Sequence, residues 1–543
     1  MNKDGFHHIQ DRIRTFLKKT LKWYLLAVVV GLLVFWGYRV YASWKALPLS
    51  LWHTTTLNEM TADEIDEADW QEYVRREELL FAELKSRVTD RLPASAQNAG
   101  NRYYEGSPLY SPHFAQDWNR SYVLVPDREP IGAVVLLHGL TDSPYSLRHV
   151  ANLYRDRGYA AVGIRLPGHG TVPAELTHVE WEAWMASANL SVREALRLVP
   201  RAGSNLPLHI VGYSNGAALA MKYALNALDD ESLVMPHRLI FFSPMIGITR
   251  YARYVGLAAI PALLPRFAKT AWLSILPEYN PFKYNSFPVN GPRQSYRLTK
   301  NLQAQIQHLS AADGLVGLPP VISFQSLIDD TVSTAAIFYY LYEHLPSNGS
   351  EIVVFDINRA TDLSPLIRPA SEVALQEMLP PLPLQYTLSL VTNGEERGRP
   401  LAEACVEVTL PGSRNSERQS LALLYPPDVF SLSHVATPFP MDDSLYGLNA
   451  PPGERPEFGI NLGSMRARGE IGMLSVKMES IFRITSNPFF PYVRERLEEM
   501  IEDSMPQGEA RPHRRRDATP GLLDRERERL IQEEDDEQPH MTP

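Results

Sequence analysis

The chain has little cysteine and no excess of positive charge. Its 543 residues include one cysteine, Cys405, which cannot form an internal disulfide and is expected to be a buried core residue. The formal net charge of −10 argues against a nucleic-acid partner, because binding phosphates needs a basic surface. The histidines lack the paired spacing of a zinc site, and no glycine-rich phosphate-binding loop occurs. We therefore expect neither a metal ion nor an organic cofactor.

One long apolar run stands near the N-terminus, over residues 23–38, and it continues beyond Arg39 as far as Trp44. A bilayer core needs about 20 apolar residues, and the Arg39 side chain can reach the far interface. Lysines and arginines precede the run and acidic residues follow it, so the positive-inside rule places residues 1–22 in the cytoplasm. We predict a single-pass anchor over residues 23–44, with the body on the outer, periplasmic side. A cleaved signal peptide and a buried helix are the alternatives.

Residues 61–91 have the pattern of one amphipathic helix. Thr61 and Glu64 form a capping box, and apolar residues recur after them at helical spacing. This helix either packs on the body or stands as a stalk, and we assign it to a helical linker over residues 45–98. At the other end, residues 507–543 carry opposed blocks of charge with few apolar residues, which predicts a disordered tail.

From about residue 120 onwards, strands and helices alternate, which is typical of a mostly parallel sheet in an α/β domain. Several strand candidates are continuous apolar runs, as expected for strands buried on both faces. The strand candidates are residues 121–126, 132–139, 159–166, 208–214, 238–244, 320–326 and 351–357. Two insertions interrupt this order, an apolar proline-rich segment at about 249–318 and a strand-containing segment at about 358–430.

One pentapeptide predicts a nucleophile. The sequence Gly212-Tyr213-Ser214-Asn215-Gly216 follows a strand candidate and opens an alanine-rich helix. A tight turn from strand to helix needs small residues around the serine, and it leaves the hydroxyl free above the sheet edge at the helix N-terminus. We interpret Ser214 as the nucleophile of a serine hydrolase. An ordinary glycine-rich turn is the alternative.

The loop after the strand candidate at 132–139 supplies a second element. Acyl transfer needs two N–H groups directed at the developing oxyanion. The candidates are the backbone amides of Leu140, which follows His138-Gly139, and of Asn215, which follows Ser214. We interpret His138 as a residue that shapes this loop rather than as a base.

The segments VVLLHGLTDSP, RLPGHGT and GYSNGA together resemble the bacterial carboxylesterase, monoacylglycerol lipase and lysophospholipase branch of the α/β-hydrolase superfamily. The resemblance covers about residues 120–357 and a motif near residue 434. It implies an α/β-hydrolase domain, which we assign to residues 99–506, with a helical cap at 249–318 and a β-containing insertion at 358–430. It also implies a Ser–acid–His triad in that chain order.

The resemblance further implies the positions of the acid and the base. In the family pattern the acid precedes a small apolar residue by three positions, as Asp329 precedes Val332, while Asp330 is the alternative. The family's histidine usually follows soon after the next strand, but no histidine occurs between His344 and His434. We therefore predict that His434, in a loop after the second insertion, is the general base. A loop histidine in an incomplete triad is the alternative.

The apolar residues of the cap would suit an acyl chain, or would simply pack the cap on the body. They are Leu257, Ile260, Leu263, Leu264, Trp272, Leu273, Ile275 and Leu276. Together with the predicted anchor, they favour a membrane-anchored hydrolase of carboxylic esters, preferably lipid-derived ones. The alternatives are a peptidase or amidase of the same fold, an acyltransferase, and a non-catalytic membrane-anchored scaffold.

Overall fold

The structure is a computed structural model that describes eight segments of the chain. They are residues 3–199, 207–247, 259–262, 264–312, 314–360, 378–449, 456–464 and 483–504. The tail predicted at 507–543 lies outside these segments, as do parts of both insertions.

The described segments contain α-helices throughout and strands from residue 122 onwards. The α-helices are α1 (Lys3–Lys45), α2 (Leu51–Thr54), α3 (Ala62–Glu67), α4 (Trp70–Arg87), α5 (Arg148–Asp156), α6 (Trp181–Leu198), α7 (Asn215–Asp229), α8 (Asn290–Ala312), α9 (Thr334–Tyr340) and α10 (Phe490–Asp503). The strands are β1 (Tyr122–Leu124), β2 (Gly132–Leu137), β3 (Tyr159–Ile164), β4 (Leu208–Tyr213), β5 (Arg238–Phe242), β6 (Trp272–Ser274), β7 (Phe287–Pro288), β8 (Val321–Ser326), β9 (Glu351–Phe355), β10 (Thr387–Glu396), β11 (Arg399–Thr409) and β12 (Ser416–Leu424).

The central sheet has the strand order β1-β3-β2-β4-β5-β8-β9-β10-β11-β12. The strands from β3 to β10 pair in parallel, whereas β1 at one edge and β11 and β12 at the other pair antiparallel. All seven strand candidates lie in this sheet, so the mostly parallel α/β fold is confirmed. The strand-like pieces of the second insertion extend the same sheet as β10, β11 and β12.

Helices cover both faces of the sheet, which explains the apolar strands. In β2, Ala133, Val135 and Leu137 pack in one core with residues of α6, α7 and α8. The alternate residues Val134 and Leu136 pack in a second core with α5 and α10. Successive side chains of a strand point to opposite faces, so a strand covered on both faces has no polar side.

The single helix predicted over residues 61–91 is wrong, because the structure has two helices there. The capping box at Thr61 is present, but α3 ends at Glu67 and α4 begins at Trp70. The cause is Asp69, whose side chain accepts a hydrogen bond from the Glu72 amide at 2.8 Å and thereby starts a new helix.

The segment before the sheet packs on the body through buried polar contacts. Tyr73 of α4 donates a hydrogen bond to the Arg165 carbonyl at 2.6 Å. The Arg165 guanidinium, in the RLPGHGT motif, forms ion pairs with Glu59 at 2.8 Å and with Glu77 at 2.9 Å. Arg165 and Glu77 are both buried, so these pairs fasten the N-terminal segment to the hydrolase core.

Helix α1 contains the predicted anchor. By length and composition, its residues Arg14–Lys45 could cross a membrane, and the apolar stretch is not buried against the rest of the chain. The last part of α1 contacts the turn at Pro265–Ala271 in the first insertion. The side of the membrane on which the body lies stays a prediction.

Candidate active site

Ser214 stands in the turn between β4 and α7. Its backbone has φ 54° and ψ −112°, a strained conformation that points the side chain out of the turn. A Cβ atom at Gly212 would overlap the backbone of Ala217, and one at Gly216 would overlap the Leu137 carbonyl. The two glycines are therefore required by the close approach of strand and helix, as the motif indicates.

A chain of hydrogen bonds joins the three residues of the predicted triad. His434 Nε2 lies 3.0 Å from Ser214 Oγ, and His434 Nδ1 lies 2.8 Å from Asp329 Oδ2. Ser214 and His434 are both buried. With Nδ1–H donated to Asp329, the imidazole presents Nε2 as an acceptor for the serine proton.

Asp329 follows β8, and the fold holds its carboxylate in place. Its Oδ1 accepts hydrogen bonds from the amides of Thr331 at 2.8 Å and Val332 at 3.0 Å. Burial raises the pKa of the Asp329 carboxyl, but His434 and these amides lower it more, so that the pKa is below its usual value. The Asp330 side chain is 85% exposed and pairs with Arg483 at 3.0 Å, so it does not reach His434.

Side chains at the ends of three strands hold the loop that carries His434. Tyr213 Oη and Ser243 Oγ donate to the His434 carbonyl at 3.4 and 3.3 Å. Ser326 Oγ donates to the Leu432 carbonyl at 2.8 Å. These positioning residues are not predicted from the sequence. The available signal was a polar side chain at or just after the carboxyl end of each parallel strand, where ligands and catalytic groups gather.

The predicted oxyanion amides come after two neighbouring strands, β2 and β4. The chain passes from β2 to β3 on one side and returns as β4 on the other, so the carboxyl ends of β2 and β4 form the kind of switch point at which α/β sheets bind ligands. Leu140 follows β2 and Asn215 begins α7. Within the described segments, neither backbone amide donates a hydrogen bond to a protein acceptor.

His138 uses both ring nitrogens for the backbone. Its Nδ1 bonds the Gly139 carbonyl at 2.9 Å, and its Nε2 accepts from the Leu166 amide at 3.0 Å. Burial holds the pKa of His138 well below its usual value, so the ring is neutral. These contacts link the loop after β2 to the RLPGHGT segment. His344, in turn, contacts Ser310 Oγ at 3.0 Å.

The predicted cap residues differ in exposure, and Leu276 is half-buried. Trp272 and Ile275 are buried, whereas Ile260, Leu264 and Leu273 are exposed. Leu257 and Leu263 lie outside the residues whose side chains the structure describes. In the part of the chain that is described, no group of three or more His, Cys, Asp or Glu side chains could hold a metal ion.

Known proteins are similar to part of the chain. Residues 128–356 match the family model Hydrolase_4, described as serine aminopeptidase, S33. A thermostable monoacylglycerol lipase from Bacillus sp. (strain H-257) is 40% identical over 58 residues, which cover 11% of this chain and 23% of the lipase. The match thus spans less than a quarter of that relative.

Solved structures of lipolytic enzymes are similar to about half of the chain. A structure from work on the metagenome-derived lipolytic enzymes LipS and LipT is 19% identical, covers 48% of this chain and 98% of its own, and has a TM-score of 0.34. A soluble variant of monoglyceride lipase from Saccharomyces cerevisiae is 15% identical, covers 44% and 82%, and has a TM-score of 0.33.

The family match begins before β2 and ends just after β9, so it covers the parallel strands that carry Ser214 and Asp329. The sheet order and the turn at Ser214 are those that the motifs of this superfamily imply. The part of the chain that the family model matches therefore has the α/β-hydrolase fold, and it resembles the esterase and monoacylglycerol lipase branch of that superfamily.

Proposed function

We propose that this protein is a membrane-anchored serine hydrolase that cleaves carboxylic esters. Ser214 is the nucleophile, His434 the general base and Asp329 the acid of the triad. The observation that carries the proposal is the continuous hydrogen-bonded chain from Ser214 Oγ through the His434 ring to Asp329, with distances of 3.0 and 2.8 Å.

The mechanism follows from this arrangement. His434 Nε2 accepts the Ser214 hydroxyl proton while Oγ bonds to the acyl carbon. The carbonyl oxygen becomes an oxyanion, which accepts hydrogen bonds from the amides of Leu140 and Asn215. His434 then donates its proton to the leaving alcohol, and an acyl-enzyme remains. A water molecule repeats the sequence, which releases the acid and restores Ser214. Asp329 stays ionised, orients the ring and stabilises its protonated form.

The proposed substrates are lipid-derived esters. Two features of this chain support that class, namely the apolar helix α1 and the exposed apolar side chains of the cap. The partly matching Bacillus protein is described as a monoacylglycerol lipase, which is in keeping with this class. Apolar surface near a membrane span favours substrates that partition into the bilayer.

The first test is labelling of the full chain with a fluorophosphonate probe. We expect labelling of the wild type, none of Ser214→Ala, and strongly reduced labelling of His434→Ala and Asp329→Ala. Ser232→Ala is the matched control, since Ser232 is exposed and bonds only Asp230 among the described residues. An unreactive wild type would favour the non-catalytic scaffold.

The second test is hydrolysis of p-nitrophenyl esters with acyl chains of increasing length. We expect turnover that depends on Ser214 and rises from acetyl to longer chains. Absence of Ser214-dependent turnover would contradict the esterase proposal, while equal turnover of acetyl esters would contradict only the lipid preference.

A peptidase or amidase is the second candidate, favoured by the description of the matching family as a serine aminopeptidase. It requires the same triad, so only the preferred substrate distinguishes a peptidase or amidase from an esterase. Ser214-dependent cleavage of aminoacyl amides in preference to esters would select it. Transfer of the acyl group to an added alcohol, faster than to water, would select an acyltransferase.

A further inference from the structure

Two basic side chains join the end of α1 to the cap. One belongs to the helix and donates to the cap, and the other belongs to the cap and donates to the end of the helix. Arg39 Nη2, on the helix, donates to the carbonyls of Thr270 and Trp272 at 3.1 and 2.8 Å. Lys269 Nζ, on the cap, donates to the Ala46 carbonyl at the C-terminus of α1 at 2.9 Å. A cation at that end of a helix also interacts favourably with the helix dipole. We call this pair of contacts the anchor clamp.

The residues that follow α1 also pack against the cap. The His53 ring meets the Trp272 ring edge-on, with 4.9 Å between the centroids, and His53 Nε2 lies 2.9 Å from Ser286 Oγ. Trp52 and His53 are both buried. The chain therefore passes from α1 directly into packed structure, and no free linker separates the anchor from the cap.

If α1 spans the bilayer in the proposed orientation, the anchor clamp lies at the depth of the outer interface. About 20 helical residues cross the hydrocarbon core, so a span that begins at Trp23, after Lys22, ends near Ala42. Arg39 lies about 4.5 Å deeper than Ala42, at 1.5 Å of rise per residue. A guanidinium at this depth needs acceptors, because an unpartnered charge in hydrocarbon is costly. The cap carbonyls at Thr270 and Trp272 are such acceptors.

Apolar side chains are exposed in the same part of the cap. Ile260, Leu264 and Leu273 are 39%, 60% and 38% exposed. Leu273 directly follows Trp272, and Leu264 directly precedes the turn that carries Lys269. Exposed apolar residues beside a membrane span match the apolar part of the interface, where they lose contact with water.

The cap also touches the chemical site. The Tyr284 amide donates to the Thr141 carbonyl at 2.8 Å, one residue after Leu140. Ser295 Oγ of α8 donates to Asn215 Oδ1 at 2.9 Å. One stretch of chain, residues 269–295, thus joins the end of the anchor to both loops that carry the proposed oxyanion amides.

We propose that the anchor clamp holds the cap at a fixed depth, with Ile260, Leu264 and Leu273 immersed in the outer leaflet of the bilayer. The ester substrate then reaches Ser214 from the lipid phase rather than from water. The inference rests on the membrane anchor of the proposed function. It adds that α1 positions the cap instead of merely tethering the protein.

The experiment measures the depth of single labels on the full chain in vesicles of phosphatidylcholine and phosphatidylglycerol. In a Cys405→Ser background, the only cysteine is placed at Leu264→Cys or at Leu424→Cys and carries an environment-sensitive NBD dye. Leu424, on edge strand β12, is the matched control, because its exposure of 61% is close to the 60% of Leu264. We expect a blue-shifted emission, quenched by nitroxide lipids, for the label at 264 only. Equal emission and quenching at both positions would overturn the proposal.

The clamp itself is tested by adding Arg39→Ala and Lys269→Ala to the Leu264→Cys variant. We expect the quenching at 264 to fall towards that at 424, and unchanged quenching would overturn the role of the clamp. These readouts need no catalysis, so failure of the esterase proposal leaves them unaffected.

Where turnover of the same clamp variants is measured, we expect hydrolysis of a vesicle-embedded ester to fall about tenfold while that of a water-soluble ester is unchanged. An equal fall for both substrates would contradict the positioning role.

Discussion

At the scale of single residues, the site depends on which of two adjacent carboxylates faces the imidazole. Asp329 is enclosed by two amides and His434, while its neighbour Asp330 points to solvent and Arg483. The position of each residue in the turn after β8 determines where its carboxylate points. Neighbouring side chains of an extended segment point to opposite sides, so moving one residue along the chain changes the direction.

We therefore predict different effects for the same aspartate-to-asparagine substitution at the two positions. Asp329→Asn should lower kcat by about 10,000-fold, because an amide in place of the carboxylate favours the wrong tautomer of His434. Asp330→Asn should leave kcat within about twofold, because exposed charge pairs contribute little. Steady-state hydrolysis of one ester by both variants checks this. A larger loss for Asp330→Asn would reassign the acid.

Much of the candidate site is readable from the sequence, because its residues sit in local patterns. Gly212, Ser214 and Gly216 form a motif whose glycines the packing requires, and Asp329 was preferred by its spacing to Val332. The contacts that hold the His434 loop could not be predicted. They come from the ends of β4, β5 and β8, and only the folded sheet brings these ends together.

At the scale of elements, local sequence patterns predict the strands better than they predict where one helix ends and the next begins. The seven strand candidates are apolar runs, and they form strands because both faces of the sheet are covered. The break between α3 and α4 is not predicted from the sequence, because an aspartate can also stand inside a helix. Only the folded structure shows that the Asp69 side chain accepts a hydrogen bond from the Glu72 amide. The continuation of the sheet through β10 could not be foreseen, because pairing with β9 is a tertiary contact.

The buried charge pairs of Arg165 predict that the segment before the sheet stabilises the fold. Arg165→Ala should lower the free energy of unfolding by about 3–5 kcal/mol, because the buried Glu77 carboxylate then keeps its hydrogen bonds from Ser121 but loses its charged partner. Arg75→Ala is the control, since Arg75 forms an exposed pair with Glu72 and should change stability by less than about 0.5 kcal/mol. Thermal unfolding in detergent measures both. Equal melting temperatures would contradict the assigned role.

Glu175 predicts a pH dependence of stability. This buried side chain accepts a hydrogen bond from the Leu57 amide, and burial together with Glu59 raises the pKa of Glu175 to about 8. An unfolded glutamate has a pKa of about 4.3. Between these values the native chain holds a proton that the unfolded chain has lost, so the free energy of unfolding falls as pH rises through this window.

Glu175→Gln keeps an acceptor for Leu57 but cannot titrate. We expect the melting temperature of the wild type to fall from pH 5 to pH 8 by more than that of the variant. Parallel curves for the two proteins would show that Glu175 titrates normally.

At the scale of the whole molecule, the chain combines one apolar helix with an acidic body. We expect the full protein to remain with membranes after alkaline carbonate extraction, because a spanning helix is not displaced by charge or pH. In cells with a permeabilised outer envelope, added protease should degrade the body and spare a tag placed before residue 23. Protection of the body instead would reverse the proposed orientation.

The long separation of the triad along the chain has a consequence for biosynthesis. His434 lies 220 residues after Ser214 and 105 residues after Asp329. At about 5–20 residues per second, a ribosome makes the serine about 10–45 s before its base. With the proposed anchor and triad, a chain led across a membrane by α1 would emerge with a serine that has no proton acceptor. Under the proposed mechanism, Ser214 gains its base only after His434 has been made, so hydrolysis would begin only after residue 434 of 543.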